Sequence, residues 1–280
     1  MKSLITPKKS LGQNFLINPR ILNKIVKATE ISKEDVILEV GPGPGNLTEK
    51  LAETLRQSSR QAGKVIAIEK DRRLIEMLKE KFSAYGGPAA GWKDTNVEIV
   101  EGDILKISTD DLGLKTDNYK IVGNIPYYIT SRFLRTVFED WPKPKLVILT
   151  IQKEVAQRIT AKPPHMNLLA LSVQFFADPK IVGYVSKENF RPRPKVDSAI
   201  IKLTPKEKLP ADNPEKFFKI IKAGFAGKRK QLANNLSKKF GIIKEELLRI
   251  FAETGIQSKD RAENLSLEQW IELSNYIKKY

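Results

Sequence analysis

The 280-residue chain contains no cysteine and a single histidine, His165. Without thiols there is no disulfide and no thiolate metal centre. One histidine, in the polar stretch AKPPHMN, is too few for a zinc site or a His-based catalytic dyad, so no metal is expected. Long apolar runs are missing too: none approaches the roughly 18 residues of a membrane span. The N-terminus MKSLITPKKSLGQNF lacks the apolar core of a signal peptide, which makes the cytosol the expected location. Acid is also scarce. Only 33 Asp and Glu face 49 Lys and Arg, a net charge of +16. Such an excess favours a polyanionic partner through phosphate neutralisation and counterion release. The plainer alternative is a basic surface that only keeps the protein soluble.

What is present is alternation. VILEVG (36–41), KVIAIEK (64–70), NVEIVEGD (96–103), YKIVGN (119–124) and KLVILTIQ (145–152) read as strands. Between them NLTEKLAETL (46–55), DRRLIEMLKEKF (71–82) and SRFLRTVF (131–138) read as helices, the last with Ser131 as a possible N-cap. LLALSVQFFA (168–177) also reads as a helix. KIVGYVS (180–186) and SAIIKLT (198–204) then form an antiparallel edge pair. This order predicts an α/β fold, a parallel sheet with helices on both faces. The small-residue stretch 83–96 is expected to be a surface loop. Beyond TPKEKLPADNP (204–214) the β signal stops and four amphipathic helical segments follow. The expected domains are therefore 1–205 and an all-helical 206–280.

Three glycines, Gly41, Gly43 and Gly45, follow the first strand of the alternation and precede a helix. Their G-x-G-x-G spacing is not the G-x-G-x-x-G of dinucleotide sites. Glu39 sits just before them, awkward beside a pyrophosphate but welcome beside a cation. Glu69 ends the next strand, where an acid can bind both ribose hydroxyls. Asp103 ends the third, where it can accept from an adenine amino group. Acids at successive strand ends suit an adenosine ligand with a positive centre, and S-adenosylmethionine fits better than NAD. The plain alternative is a strand–helix turn with incidental acids.

In IVGNIPYYIT (121–130), Asn124 falls at the carboxyl end of the fourth strand, the ligand edge of an open α/β sheet. The Asn124 side-chain oxygen and the Ile125 carbonyl can accept from an aromatic amine and free its lone pair for methylation. Pro126 fixes the carbonyl direction, and Tyr127 can stack on the base. Alone, the stretch is equally a Pro-terminated strand with a core tyrosine.

Together NIPYYIT, EVGPGPGNLT, IEKD and EGDIL resemble the ribosomal RNA adenine N6,N6-dimethyltransferase family. KKSLGQNFL (8–16), QKEVAQRI (152–159), NFRPRPKVDSAIIKL (189–203), AGFAGKRKQLANNL (223–236) and RAENLSLEQW (261–270) are similar as well. The last two look like the small-subunit branch and less like the large-subunit, macrolide-resistance branch. The resemblance implies a Rossmann-like seven-stranded S-adenosylmethionine-dependent methyltransferase domain and a small helical domain. It implies cofactor contacts from Gln13, Asn14, Leu16, Glu39, Gly41, Gly43, Gly45, Glu69, Asp103, Ile104 and Asn124. Asn124, Ile125, Pro126 and Tyr127 would hold the target, with Phe190, placed by NFRPRP in a loop, stacking on the flipped adenine.

Basic zones flank the α/β region. The first 29 residues hold six basic residues and no acid; Pro214 to Phe240 hold eight basic and one acidic. Lys8, Lys9, Lys222, Lys228, Arg229 and Lys230 are the expected RNA contacts, against the alternative of a solvated helical face. The implied substrate is adjacent adenines in a hairpin loop near the 3′ end of small-subunit rRNA, within a pre-ribosomal particle, met by a monomer. Tyr128 and Thr130 depart from the small polar residues usual after the tetrad, and AKPPHMNLLALSVQ replaces a Gly-containing loop. Rival readings are a large-subunit methylase, a non-catalytic ribosome-assembly factor, and a nicotinamide-dependent oxidoreductase.

Overall fold

A computed structural model of the chain describes residues 6–8, 11–58, 63–84, 96–114 and 118–277. The chain folds as two compact units: Met1–Ala156 with Lys180–Pro205, and Gln157–Pro179 with Lys206–Tyr280. The sequence pattern places 157–179 in the first domain. The difference has a packing cause: Ala170, Leu171 and Phe175 join the apolar cluster of the helical unit, and Phe175 stacks on Phe217 at 4.6 Å.

The first unit begins with β1 (Phe15–Leu16), α1 (Pro19–Thr29), β2 (Val36–Val40), α2 (Asn46–Ser58), β3 (Lys64–Glu69), α3 (Arg72–Ala84) and β4 (Val97–Glu101). β5 (Tyr119–Asn124), α4 (Thr130–Arg135) and β6 (Leu146–Gln152) continue it, and α5 (Lys153–Ile159) runs from the first unit into the second. α6 (Leu168–Gln174) is followed by β7 (Ala177–Val185), β8 (Phe190–Arg191) and β9 (Ser198–Pro205). The main sheet has seven strands in the order β4-β3-β2-β5-β6-β9-β7. The β2–β3, β2–β5, β3–β4 and β5–β6 pairs are parallel, and β9 runs antiparallel to β6. The mixed seven-stranded sheet expected from the sequence is therefore present. Its central strands are buried on both faces: neighbouring residues Ile37 and Leu38 are both fully covered. On one face Leu22 and Ile25 of α1, with Leu47, Leu51 and Leu55 of α2, meet Ile37, Val65, Val122 and Ile148.

Several local expectations change. α4 has no side-chain cap, because a 3-10 turn over Tyr127–Ile129 runs straight into it; Ser131 is exposed and caps nothing. α4 then widens into a π turn over Thr136–Asp140. Most of the 83–96 stretch, residues 85–95, lies outside the described residues. α1, not read from the sequence, starts with Asn18 accepting from the Arg20 N–H and Pro19 at the first helical position.

The second unit adds α7 (Pro214–Gly224), α8 (Leu232–Phe240), α9 (Lys244–Glu253) and α10 (Leu267–Tyr276). Their apolar stripes converge on fully buried Trp270, Phe217 and Phe251. Among the described residues, no helix is long and apolar enough to cross a membrane.

One buried ion pair fixes the start of β5. The Lys120 ammonium lies 2.7 Å from an Asp35 oxygen, with side chains 9% and 1% exposed, and also donates to the Glu30 carbonyl. Burial acts to raise the Asp35 carboxyl, but Lys120 and the Ser32 N–H outweigh it and hold it below the usual range. A depressed carboxyl stabilises the fold above its unfolded value of 3.8 and loses that contribution as pH falls through the folded one. Lys120→Met strands the Asp35 charge and is expected to cost about 3 kcal/mol. Urea unfolding at pH 7 measures it, and the mutant deficit should shrink at acid pH.

Candidate active site

The three central strands end level. Val40 pairs with Ile68 on β3 and with Gly123 on β5, so Gly41, Glu69 and Asn124 leave the sheet side by side. Beyond them lies a cavity of about 330 Å³, in the size range of small-molecule sites. It is lined by Gln13, Asn14 and Leu16 from the N-terminal segment, and by Glu39, Gly41 and Gly43 from β2 and its loop. Glu69, Asp103, Ile104, Asn124, Ile125, Pro126 and Tyr127 complete this part of the wall. Of the expected cofactor residues, only Gly45 is not on the lining: its Cβ position is filled by Leu78 and Phe82 beneath the turn. Gly43 has φ +58, and a Cβ there would stand 2.8 Å from the Phe15 ring, which closes over the loop.

The acids differ in their surroundings. Glu39 is 1% exposed, and its Oε2 has no hydrogen-bond partner among the described residues. Burial pushes its carboxyl up to about 8, against the opposing pull of the Thr48 hydroxyl, and the Glu69 charge adds to the shift. Glu69 is also raised by burial, although the N–H groups of Asp71 (2.9 Å), Lys70 (2.8 Å) and Gly43 (3.3 Å) hold its oxygens. Its Oε2 takes only the longest of these bonds and keeps room for a hydroxyl. At Asp103 burial is outweighed by the Lys70 ammonium at 2.9 Å and the Leu105 N–H, so the carboxyl stays below the ordinary value.

The Asn124 amide nitrogen donates to the Asn14 carbonyl at 2.8 Å. A carbonyl cannot donate, so that contact selects the NH2 group and leaves Oδ1 as the free acceptor. The Tyr127 hydroxyl is bonded to Ser198 Oγ at 2.7 Å, and Ser198 is fully buried at the start of β9. Burial raises the Tyr127 phenol.

The N-terminal segment is fastened at several points. Gln13 Nε2 donates to Asp71 at 3.0 Å, Asn46 Nδ2 donates to the Leu16 carbonyl at 3.2 Å, and β1 pairs antiparallel with β8. This ribbon decides the fate of Phe190. Expected in a loop, it pairs with Leu16 in β8, is fully buried, and is absent from the cavity lining. In this conformation it offers no face to a base.

The expected RNA contacts divide. Lys222, Lys228, Arg229 and Lys230 are exposed on the helical unit. Lys8 lies 3.7 Å from Asp71. Lys9 lies outside the described residues. Sequence reasoning missed Asp71 and Ser198 as anchors, and Lys70 and Arg132 on the cavity lining. Asp71 had a visible sign, an acid just ahead of a helix. Ser198 had none, since 71 residues separate it from Tyr127.

Comparison with known proteins identifies the family. A family model described as ribosomal RNA adenine dimethylase matches residues 5–279. The chain is 42% identical over 265 residues to ribosomal RNA small subunit methyltransferase A of Dehalococcoides mccartyi, covering 94% of this chain and 86% of that protein. The protein of the same name from Clostridium botulinum is 37% identical, over 96% of this chain and 93% of its own length. Among solved structures, the 23S rRNA methyltransferase ErmE superposes with a TM-score of 0.74 at 26% identity, covering 94% of this chain and 98% of its own. A dimethyladenosine transferase from Plasmodium falciparum gives 0.75 at 28%, covering 92% and 95%. A match over almost its whole length places the chain in the ribosomal RNA adenine dimethylase family of methyltransferases.

Proposed function

We propose that the protein transfers methyl groups from S-adenosylmethionine to N6 of two adjacent adenines in the 3′-terminal hairpin loop of small-subunit rRNA. It does so as a monomer, on a pre-ribosomal particle in the cytosol. The observation that carries this reading is the Asn124–Asn14 bond, which leaves Asn124 Oδ1 as a free acceptor on the cavity wall beside Ile125. The small-subunit assignment is favoured by the curated relatives at 37–42% identity, which carry that name.

The cavity chemistry fits the cofactor. Glu39, buried with an orphaned oxygen, suits a ligand with a cationic end. Glu69 suits ribose hydroxyls, and Asp103 with Ile104 suits an adenine edge. When bound, S-adenosylmethionine supplies an electrophilic methyl group on a sulfonium. The rest is done by the chain. An exocyclic amine is a weak nucleophile because its lone pair is delocalised into the ring. Asn124 Oδ1 and the Ile125 carbonyl accept its two N–H bonds and favour a pyramidal nitrogen with its lone pair free. Tyr127, tethered by Ser198, stacks on the base. Positioning and exclusion of water contribute most of the rate. The methylated nitrogen then sheds its proton to solvent. In the second round Asn124 accepts from a monomethylated amine.

Tritiated S-adenosylmethionine and small subunits lacking the modification test the reaction. Label should appear as dimethyladenosine with wild type. Asn124→Ala should lower kcat about 100-fold or more, the scale for losing one preorganised transition-state partner. Equal label with both would overturn the clamp; no label with either, while RNA still binds, would favour the assembly-factor alternative.

A second expectation concerns pH. Between 4.5 and about 8 the ligand-free fold keeps a proton on Glu39 that the unfolded chain has lost, so its contribution to stability fades as pH rises through that window. A cationic ligand favours the carboxylate, so binding should release a proton at pH 7, and affinity should climb towards pH 8. Calorimetry in buffers of different ionisation enthalpy detects that release, and Glu39→Gln should abolish it.

A further inference from the structure

Tyr128 follows the clamp directly, yet takes no part in it. Its side chain is 67% exposed, the most exposed large apolar residue among those described. A ring of this size ordinarily gains by burial, with roughly 150–250 Å² to cover. Here one side is backed by the chain: a Cβ on Gly12 would stand 3.2 Å from the Tyr128 ring. The rest of the ring is open, on the lining of the cavity that also holds Asn124 and Tyr127. Four residues on, Arg132 lines the same cavity and is exposed, with no ion pair to a described residue. Tyr128 lies in the 3-10 turn that runs into α4, Arg132 lies in α4, and both side chains reach the same cavity wall. An exposed aromatic ring and an unpaired guanidinium on one cavity lining match the two parts of a nucleotide, a flat base and a phosphate.

We infer that Tyr128 and Arg132 form a second nucleotide site, which holds the residue next to the target adenine: its base on the open face of Tyr128, its phosphate on Arg132. The inference rests on the RNA reading above. Drawing an adenine into the cavity breaks its stack with its neighbour. A ring at the rim replaces that stack for the neighbour and keeps the strand from re-closing. Sequence tolerance follows, because every base has a π face.

Binding of the full-length protein to hairpin RNAs tests this, read by equilibrium fluorescence anisotropy apart from methyl transfer. One hairpin is intact; others carry an abasic nucleotide 5′ or 3′ of the target. Tyr128→Ala should weaken binding of the intact hairpin about tenfold, the scale of one base–aromatic stack. Tyr128→Phe should stay close to wild type. One of the two abasic hairpins should bind wild type about tenfold more weakly and bind Tyr128→Ala no worse than the intact RNA does. Additive losses at both flanks, or an unchanged affinity in Tyr128→Ala, would overturn the site. So would a drop in S-adenosylmethionine affinity in Tyr128→Ala with RNA binding intact, which would assign the ring to the cofactor. Wild type that binds RNA without methylating it would sink the enzymatic reading, while the coupling of Tyr128 to the flanking base still decides the subsite. Failure of wild type to bind RNA at all would overturn both.

Discussion

The site depends on β2 sharing one register with both of its neighbours. Because Val40 faces Ile68 on one side and Gly123 on the other, the glycine loop, Glu69 and Asn124 emerge at one level. β3 pairs Glu69 with Glu101, which sets Asp103 two residues beyond that level. A slip of one residue would turn every side chain of a strand to the opposite face and scatter the set. Gly123 shows how closely the strands fit: a Cβ there would stand 2.8 Å from the Val40 carbonyl oxygen. β2 is also where the chain order reverses, with β3 and β4 on one side and β5 and β6 on the other. Helices leaving in opposite directions open a crevice at such a point, and ligands bind there.

A chain of net charge +16 thus carries a pocket lined by acids. The signs are sorted by depth. Glu39 and Glu69 sit at 1% and 7% exposure, where charge is weakly screened and a cationic ligand is strongly preferred. Lys222, Lys228, Arg229 and Lys230 stand in solvent, where a charge reaches over about a Debye length. Under the proposed function, the buried acids would take the small cationic ligand and the exposed Lys and Arg side chains the polyanion. Lys70 and Asp103, paired at 2.9 Å, mark the change of sign.

What could be read from the sequence was local. Central strands show themselves because burial on both faces demands continuous apolar runs, as in VILEV and LVILTIQ. The glycine loop and its acids lie within a few residues of strand ends. What could not be read was decided by distant partners. Asn14 and Asn124 are 110 residues apart, and Asn18 and Asn189, bonded at 2.6 Å, are 171 apart. β1 and β8 have two residues each, too short to show any periodicity. Phe190, flanked by Asn, Arg and Pro, has the local look of an exposed loop, and only its pairing with Leu16 buries it. Residues 157–179 read as a continuation of the α/β pattern because their apolar partners, Phe217 among them, come later in the chain.

The N-terminal segment turns these separate features into one device. Within a few residues it gives Gln13 to Asp71, the Asn14 carbonyl to Asn124, the Phe15 ring to Gly43 and the Leu16 carbonyl to Asn46. Two of these contacts are on the glycine loop and the helix it opens, and one is on the clamp. Whatever orders the segment over the loop therefore also fixes the Asn124 amide, and whatever fixes Asn124 helps to hold the segment down. Such coupling is reciprocal as a matter of thermodynamics. Under the proposed function, an Asn124 without the Asn14 carbonyl is free to present NH2 in place of oxygen and would repel the hydrogens of a target amine. The orientation of the clamp is in this way set by backbone from the far end of the chain, and not by the four residues that form it.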